Sequence, residues 1–559
     1  MICSKGFVYI VHCLLMVLFL LSPAFSQEVI PDNLQEYLRN RIEASGIPPV
    51  IMVGEEQIYA SVALPLFYEK RAYNLAWCDK KGPTAHADSL VSAIENADKE
   101  GLKPRNYHLA KIRHNLDVVR LNIRKGTYNR RRLVDLDLLL TDAFLIYGSH
   151  LLKGQVDPIT IDSEWFTDLK QLDMTEVLET ALRDNTIIKS LLSLSPPQNG
   201  YSRMKKALAR YREMADRRGW PVIPDGPKMV VGDSGERIQL LRERLLITGD
   251  LKETDTENKN YFNHDLESAV KGFQKRHGLD EDGVAGKKTI EALNVSVQNR
   301  INMIIINLER WRWLPQELGS PNIQVNIANF ELDVYDGETS LLDMKVIVGR
   351  TYRRTPVFSD NMTYLVLCPH WNVPDNIARQ DILPNVKKDP EYLSRLGFKV
   401  LQGWGADMKI VDPATVSWAD ITAKNFKYRF RQDPGPLNAL GHIKFMFPNK
   451  FNVYLHDTPS RDLFSKTSRD FSSGCIRIEK PIELAEYLLK EDSLWTPDAI
   501  VKNIGENIEQ TVKLAIPIPV HILYWTAWVS PDGSVNFRND IYQRDNALLE
   551  ALREDPQDE

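Results

Sequence analysis

The sequence predicts a multidomain α+β protein with a helical N-terminal part, a small three-helix domain and a mostly β C-terminal part. Three observations predict this fold class. Apolar residues recur at intervals of three and four from Leu133 to Leu152, which is helical periodicity. Proline and glycine are concentrated between Pro221 and Gly232, as in a linker. Strand-like alternation begins at Ile323, in a chain whose 559 residues suffice for three or four domains.

The first 26 residues are predicted to be a secretory signal peptide. Lys5 provides a short basic start, Phe7 to Leu21 form an apolar stretch, and Ala24-Phe25-Ser26 is a small-x-small cleavage site. No later segment is long enough to span a bilayer. An uncleaved N-terminal anchor is the alternative interpretation, although the apolar run is near the lower length limit of such an anchor.

Composition argues against two classes of protein. The formal net charge is −5, and removal of Lys5 with the signal peptide brings it to −6, so no nucleic-acid partner is predicted. Three cysteines then remain, Cys78, Cys368 and Cys475, and this number excludes a fold built on disulfides. We expect Cys78 and Cys368 to be buried apolar thiols. No cluster of His, Cys and Asp has metal-ligand spacing, so neither a metal nor a cofactor is predicted.

The changes in periodicity divide the chain into consecutive segments. A polar stretch from Pro374 to Phe451 is too long for a structureless loop in a compact domain, so an inserted capping subdomain is predicted at about 375–450. The predicted segments are a signal peptide (1–26), a helical scaffold domain (27–220), a linker (221–231), a small three-helix domain (232–296), a connecting helix (297–320), a mostly β domain (321–515) and a C-terminal strand with an acidic tail (516–559).

Residues able to perform chemistry are concentrated between Tyr454 and Pro481. His456 and Cys475 are 19 residues apart and can form a base and nucleophile pair, because a cysteine reacts as its thiolate and needs a neighbour that takes its proton. Arg477 adds a fixed positive charge. The alternative is that Cys475 is a structural thiol and His456 a core histidine.

The run from Ser472 to Cys475 can supply backbone donors for an oxyanion. Gly474 tolerates positive φ and a close approach of substrate. The N–H groups of Ser473, Gly474 and Cys475 are therefore predicted to converge on one point.

A histidine somewhat under twenty residues before Ser-x-Gly-Cys-(Ile/Val)-Arg resembles the signature of the L,D-transpeptidase catalytic domain. The resemblance extends upstream through three segments: Ile323-Gln324-Val325-Asn326-Ile327, Val346-Ile347-Val348-Gly349-Arg350 and Arg354-Thr355-Pro356. This chain departs from many members in carrying Ser473 before Gly474 and Asp457 after His456. The resemblance implies that the main-chain carbonyl of Asp457 orients the histidine.

The same resemblance implies supporting roles for further residues of the module. Tyr454 and Arg477 are expected to position His456 or a substrate carboxylate, with packing as the alternative for Tyr454. Ser472 and Asp457 are expected to contact the residues that react and to hold them in position.

Two other regions resemble domains that accompany this catalytic domain. The small domain carries Gly232-Asp233-Ser234-Gly235, Phe273-Gln274 and a turn from Asp282 to Thr289, which together resemble a peptidoglycan-binding domain. The helical part resembles the N-terminal scaffold region of the large periplasmic L,D-transpeptidases. The segments that carry this second likeness are Leu75 to Asp79, Gly101 to His108 and Thr141 to Pro158.

The resemblance implies an L,D-transpeptidase that forms 3→3 peptidoglycan crosslinks through a cysteine thioester and releases terminal D-Ala from a tetrapeptide stem. Peptidoglycan stems would then be donor and acceptor, in the periplasm at the cell wall, with cell-wall synthases as possible partners. Two alternatives stay open: an L,D-carboxypeptidase that uses the same thioester, and a non-catalytic wall-binding scaffold protein.

Overall fold

The computed structural model describes residues 33–46, 50–79, 81–127, 129–167, 169–252 and 258–556. The predicted signal peptide lies outside these residues. Within them, no helix combines the length and the apolar character that a membrane crossing requires.

The N-terminal part is helical, as predicted, and is organised around one long helix, α5. This helix contains the predicted periodic segment, and most of its side chains from Leu133 to Leu152 are buried. The Asp137 carboxylate on α5 accepts the N–H groups of Ala76, Trp77 and Cys78 at 2.8, 2.8 and 2.9 Å. The helices are α1 (Leu34–Glu43), α2 (Ala63–Lys70), α3 (Ala85–Glu95), α4 (Leu109–Arg124), α5 (Arg130–Lys153), α6 (Pro158–Ile161), α7 (Met174–Arg183), α8 (Ile187–Leu194) and α9 (Asn199–Asp216).

Four short strands form two hairpins beside these helices. They are β1 (Met52–Val53), β2 (Glu56–Gln57), β3 (Cys78–Asp79) and β4 (Gly82–Pro83). Cys78 is buried, as predicted.

The small domain has three helices around its own core. They are α10 (Glu236–Thr248), α11 (His264–Arg276) and α12 (Lys287–Leu293). The Asp282 carboxylate accepts the Gln274 Nε2–H group at 2.7 Å and the Val284 N–H group at 2.9 Å, so it stabilises the turn that precedes α12. The connecting helix α13 (Val297–Arg312) then leads to the β-rich part.

The β-rich part is a closed sheet. Strand β7 pairs with both β6 and β16, so the order β7-β16-β14-β13-β8-β17-β5-β6 returns to β7, and β15 adds to β7. Alternate residues of the strands fill the interior, where Val325, Leu365, Phe445 and Ile522 are fully buried. The strands are β5 (Asn322–Asn326), β6 (Glu331–Asp336), β7 (Thr339–Gly349), β8 (Phe358–Leu367), β13 (Ile443–Met446), β14 (Leu455–His456), β15 (Asp470–Ser472), β16 (Ile476–Ile478) and β17 (Gln510–Leu523).

An inserted subdomain with a separate core interrupts this sheet between β8 and β13. The insertion was predicted, but its four-stranded sheet, in the order β11-β10-β12-β9, was not. The predicted insertion end at about 450 is wrong, because β13 already belongs to the closed sheet. The elements are β9 (Trp371–Asn372), α14 (Asp375–Ile377), a π-helical turn (Ala378–Ile382), α15 (Leu383–Lys388), α16 (Tyr392–Arg395), β10 (Phe398–Gln402), β11 (Lys409–Val411) and β12 (Tyr428–Gln432).

The chain after β16 corrects the predicted boundary at 515/516. Strand β17 runs through that boundary and pairs with β5 and β8, so the predicted C-terminal strand is part of the closed sheet. The last helix was not predicted either. The remaining elements are α17 (Pro481–Leu489), α18 (Pro497–Glu506), β18 (Ala527–Val529), β19 (Val535–Phe537) and α19 (Asp545–Ala551).

Candidate active site

Strand pairing places the predicted functional side chains on one face of the closed sheet. Strands β14 and β16 are parallel, with Leu455 opposite Ile476 and His456 opposite Arg477. Leu455 and Ile476 are fully buried in the interior. Because side chains alternate along a strand, His456 and Arg477 lie on the outer face.

The same pairing continues before these strands begin. The N–H group of Ile476 donates to the carbonyl oxygen of Tyr454 at 3.2 Å, so Cys475 follows the course of Tyr454. By alternation, both residues share the outer face with His456 and Arg477. The structure therefore places on one face four of the residues that the sequence singled out.

His456 has a fixed tautomer. Its Nδ1–H group donates to the carbonyl oxygen of Asp457 at 2.5 Å, which is the contact that the resemblance implied. Its Nε2 atom therefore carries the lone pair. Burial, followed by the charge of Arg477, lowers the pKa of His456 to about 3. The ring is thus a neutral proton acceptor at neutral pH.

Cys475 is a half-buried thiol. Its Sγ atom lies 3.8 Å from the carbonyl oxygen of Asn452. Burial raises the pKa of the thiol, whereas hydrogen bonds from Tyr454 and the charges of Lys444 and Arg477 act in the opposite direction. The resting cysteine is therefore protonated, and its surroundings favour the thiolate when the proton leaves.

Side-chain hydrogen bonds from Ser472 and Thr355 stabilise the turn before Cys475. Gly474 has a φ of 116°, as its predicted role requires. The Ser472 Oγ atom accepts the Gly474 N–H group at 3.1 Å and donates to the Cys475 carbonyl at 2.5 Å. The Thr355 hydroxyl donates to the Gly474 carbonyl at 2.8 Å. The turn therefore holds a conformation that an alanine at 474 would strain.

These contacts correct the predicted oxyanion site. The Gly474 N–H group is occupied by Ser472 and does not point at a substrate. In the described part of the chain, the N–H groups of Ser473 and Cys475 have no acceptor. Two backbone donors flank the thiol instead of three.

The outer face beside Cys475 carries cations that have no acidic partner among the residues that the structure describes. Arg477 is half-buried, and no described residue accepts a hydrogen bond from its Nε atom. Burial, and then the charge of nearby Arg350, lowers the pKa of Arg477. The Nη1 atom of Arg350 donates to the Tyr352 hydroxyl at 2.9 Å. Two guanidinium groups with no carboxylate partner among the described residues can attract an anionic group.

Lys444 completes this face and was missed in the sequence. It pairs with His456 across β13 and β14, and its Nζ atom lies 3.9 Å from the centroid of the Tyr454 ring. The sequence contained a signal that could have predicted Lys444, because this residue alternates with the buried residues Ile443 and Phe445 on a strand. Arg350 and Thr355 lie in segments that carry the resemblance but were not predicted as site residues, because their positions depend on the pairing of β7 and β16.

Asp457 and Ser473 contact groups away from the thiol. The Asp457 carboxylate accepts the His442 N–H group at 2.8 Å and lies 3.4 Å from Arg461. The Ser473 hydroxyl accepts a hydrogen bond from Arg353 Nη1 at 3.1 Å. Arg353 also forms an ion pair with Asp381 of the inserted subdomain. The turn that carries Cys475 is therefore connected to the cap.

The charge of Lys444 predicts a measurable effect on the thiol. The Lys444→Met variant keeps the length of the side chain but loses the charge that favours the thiolate, so we expect the pKa of Cys475 to rise. Alkylation of Cys475 by iodoacetamide at pH 7 should slow about tenfold. Mass spectrometry of the modified peptide over a pH series measures both. A thiol pKa equal to that of the Lys513→Met control, which removes an exposed lysine on β17, would refute this role.

No group of three or more His, Cys, Asp and Glu side chains is placed to hold a metal ion anywhere in the described ranges.

Comparison with known proteins identifies three regions. Residues 62–208 match the family described as "Scaffold domain", residues 234–293 match "Putative peptidoglycan binding domain", and residues 320–504 match "L,D-transpeptidase catalytic domain". A Haemophilus influenzae protein described as "Putative L,D-transpeptidase" is 35% identical over 267 residues. This alignment covers 47% of the chain and 53% of the relative, so the chain spans about half the length of the curated relative it matches.

Two solved structures are less similar to this chain than that relative is. The L,D-transpeptidase (Yku) from Stackebrandtia nassauensis is 14% identical with a TM-score of 0.21, over 54% of this chain and 96% of that one. The L,D-transpeptidase (residues 123–326) from Xylanimonas cellulosilytica DSM 15894 is 14% identical with a TM-score of 0.16, over 54% and 98%. These scores are too low to support a conclusion. Three regions of the chain therefore match the models of a scaffold domain, a putative peptidoglycan binding domain and an L,D-transpeptidase catalytic domain, and the region that matches the last of these contains His456 and Cys475.

Proposed function

We propose that the protein is an L,D-transpeptidase that forms 3→3 peptidoglycan crosslinks through a thioester on Cys475. One observation carries this proposal: a neutral histidine with a fixed tautomer shares the outer sheet face with the cysteine. The N–H groups of Ser473 and of Cys475 itself have no acceptor among the described residues. This is the set of groups that acyl transfer by a thiol requires.

In the first step, the Cys475 sulfur attacks the carbonyl carbon of the third residue of a tetrapeptide stem. The thiol proton passes to Nε2 of His456, and the N–H groups of Ser473 and Cys475 donate to the oxyanion. The C–N bond to D-Ala then breaks, and His456 returns the proton to the departing amine. One backbone donor of this kind contributes roughly 3 kcal/mol to the barrier reduction.

The cationic pair Arg350 and Arg477 supports the recognition of a donor that carries a carboxylate. Neither guanidinium has an acidic partner among the described residues, so a substrate carboxylate would be the counter-charge. Tyr454, whose ring lies next to Lys444, contributes a hydrogen bond to the thiol. These residues position the donor and the sulfur for attack.

In the second step, the side-chain amine of another stem attacks the thioester. His456 takes a proton from this amine, a new amide bond forms, and the sulfur leaves as a thiol after it regains the proton. The outcome is a bond between the third residues of two stems. Water in place of the amine would give an L,D-carboxypeptidase, the alternative with the same first step.

The inserted subdomain favours the amine as the acceptor. Arg353 joins the subdomain to the turn of Cys475 through Asp381 and Ser473, so the subdomain is anchored two residues from the thiol. A site that is covered in this way limits the access of water to the thioester. The peptidoglycan-related domains are consistent with a location at the cell wall. Export through residues 1–26 and partnership with synthases remain predictions.

The proposal predicts products that mass spectrometry can distinguish. We expect the protein without residues 1–26 to convert a disaccharide-tetrapeptide into dimers that have lost one D-Ala. Tripeptide monomers without dimers would indicate the carboxypeptidase instead. Absence of product, together with absence of a carbapenem adduct on Cys475 in a folded protein, would favour a non-catalytic scaffold.

A further inference from the structure

The direction of each backbone donor beside the thiol is set from the opposite end of its peptide group. A trans peptide group is planar, and its C=O and N–H groups point in opposite directions, so a hydrogen bond to the carbonyl also fixes the N–H. The Cys475 N–H group shares its peptide with the Gly474 carbonyl, which accepts the Thr355 hydroxyl at 2.8 Å. Thr355, which is fully buried, therefore orients the Cys475 N–H group without contacting it.

The Ser473 N–H group is oriented in the same way. It shares its peptide with the Ser472 carbonyl, which accepts the Arg350 N–H group at 3.1 Å. Strand pairing supports this contact, because Ser472 on β15 lies opposite Gly349 on β7. The segment 349–355 therefore holds both peptide groups that supply the proposed oxyanion donors.

One buried hydroxyl, that of Tyr542, connects the two ends of this segment. It donates to the Gly349 carbonyl at 2.5 Å and accepts the Thr355 N–H group at 3.2 Å. The Gly349 carbonyl shares its peptide with the Arg350 N–H group, so the same hydroxyl also orients the donor that Arg350 presents. Burial raises the pKa of Tyr542 to about 12, so the hydroxyl keeps the proton that it donates.

Tyr542 lies outside the region that matches the catalytic-domain model, which ends at residue 504. Its ring stacks on the Tyr524 ring with the centroids 5.6 Å apart, and its N–H group donates to the Tyr524 hydroxyl at 2.8 Å. Arg544, two residues later, forms ion pairs with Asp162 at 2.5 Å and with Glu164 at 3.2 Å. Both carboxylates belong to the region that matches the scaffold domain, so this region and the C-terminal segment together hold Tyr542 in place.

The scaffold region also contacts the chain directly after the segment 349–355. Val357 accepts the Phe166 N–H group at 2.8 Å and donates its own N–H group to the Glu164 carbonyl at 2.9 Å. These main-chain hydrogen bonds restrain the chain two residues after Thr355. The orientation of the two donors therefore depends on parts of the chain that are distant in sequence from the thiol.

We propose that Tyr542 is a positioning residue for catalysis, whose hydroxyl orients the N–H groups of Ser473 and Cys475 towards the oxyanion. This inference rests on the proposed function, because an oxyanion forms only when the thiol attacks a carbonyl group. Tyr542 contacts neither the sulfur nor the substrate. Its loss should therefore slow the chemical step and leave the binding of the acyl donor nearly unchanged, since the two N–H groups act on the transition state.

The test compares the Tyr542→Phe variant with the wild type in the acylation of Cys475 by a carbapenem. Mass spectrometry over a series of carbapenem concentrations gives the limiting rate constant and the concentration at half of this rate. We expect the rate constant to fall about tenfold and the half-saturating concentration to change less than about twofold. The matched control is Tyr107→Phe, which removes a buried hydroxyl 3.1 Å from His150 in the helical part and should keep the wild-type rate constant.

Thr355 provides a second comparison. The Thr355→Val variant keeps the shape of the side chain but loses the hydroxyl, so its limiting rate constant should also fall about tenfold. Thr355→Ser should recover most of that loss, because it retains the hydroxyl. The double variant Tyr542→Phe/Thr355→Val should lose less than the product of the two single losses, since both hydroxyls act on one segment. Melting temperatures check that each variant is folded.

Hydrogen exchange separates failure of this proposal from failure of the proposed function, because it needs no turnover. The amides of residues 472–476 should exchange faster in Tyr542→Phe than in the wild type or in Tyr107→Phe. Equal exchange in all three proteins would overturn the positioning role. So would a rate constant of acylation in Tyr542→Phe that is no lower than in the Tyr107→Phe control. Wild-type protein that is not acylated would refute the proposed function, while the exchange comparison still decides whether Tyr542 holds the turn.

Discussion

Replacement of Cys475 by alanine is expected to lower the release of D-Ala and the formation of dimers at least about 10⁴-fold, because no other described group near His456 can form the thioester. Cys475 is half-buried at the surface of the sheet, so removal of its sulfur should leave the fold intact. Product formation from a disaccharide-tetrapeptide, followed by mass spectrometry, measures the loss.

Cys368→Ala is the matched control for this variant. Cys368 is also a free cysteine, but it is buried, and its Sγ atom lies 3.7 Å from the Asn503 carbonyl. We expect this control to keep its activity. Wild-type rates in the Cys475→Ala variant would show that the reaction does not pass through a thioester on that residue.

Replacement of His456 by glutamine is expected to slow the reaction by about 10²–10⁴-fold. Glutamine retains a polar group of similar reach but cannot carry a proton from the thiol to the leaving amine. Single-turnover acylation by a carbapenem, followed by mass spectrometry, isolates the step in which the thiol proton moves. The control is His264→Gln, a histidine whose side chain is 85% exposed on the small domain. Equal acylation rates in the His456 variant and the wild type would exclude His456 as the base.

The pH profile of the wild-type protein is a second, independent test of His456. The pKa of His456 is lowered to about 3, so only about 1% of the ring is protonated at pH 5. We therefore expect no fall in kcat/KM from histidine protonation between pH 7 and pH 5. A fall in kcat/KM centred near pH 6.5 that disappears in the His456→Gln variant would contradict the lowered pKa of His456.

The same shift affects the free energy of unfolding. Between pH 6.5 and 3 the unfolded chain binds a proton at His456 that the folded site does not bind. Stability from this group is therefore present above pH 6.5 and is lost progressively as the pH falls through this window. Activity at pH 5 must be measured while the protein remains folded.

The sequence was sufficient to predict which side chains meet near the thiol on β14 and β16. Tyr454 and His456 alternate with buried Leu455, and Cys475 and Arg477 alternate with buried Ile476, so a period of two places them on one face. Lys444 was not predicted because its position depends on the pairing of β13 with β14. The hydrogen-bond partner of the Gly474 N–H group could not be predicted either, since it depends on the rotamer of Ser472.

The inserted subdomain shows a similar limit. Its existence follows from length and polarity, but its sheet does not, because β10 pairs with β12 across 25 intervening residues. The predicted ends at 450 and 515 were wrong because both were placed from local composition alone. Strands β13 and β17 belong to the closed sheet through partners that are distant in sequence.

The position of β17 has a consequence for the order in which the protein becomes functional during synthesis. A chain is made from its N-terminus, so His456 and Cys475 emerge before residues 510–523. Until those residues have emerged, β8 and β5 lack the strand that lies between them, and the sheet stays open. A nascent chain that already contains His456 and Cys475 therefore does not yet hold the closed sheet that carries them, and the sheet can close only after residue 523.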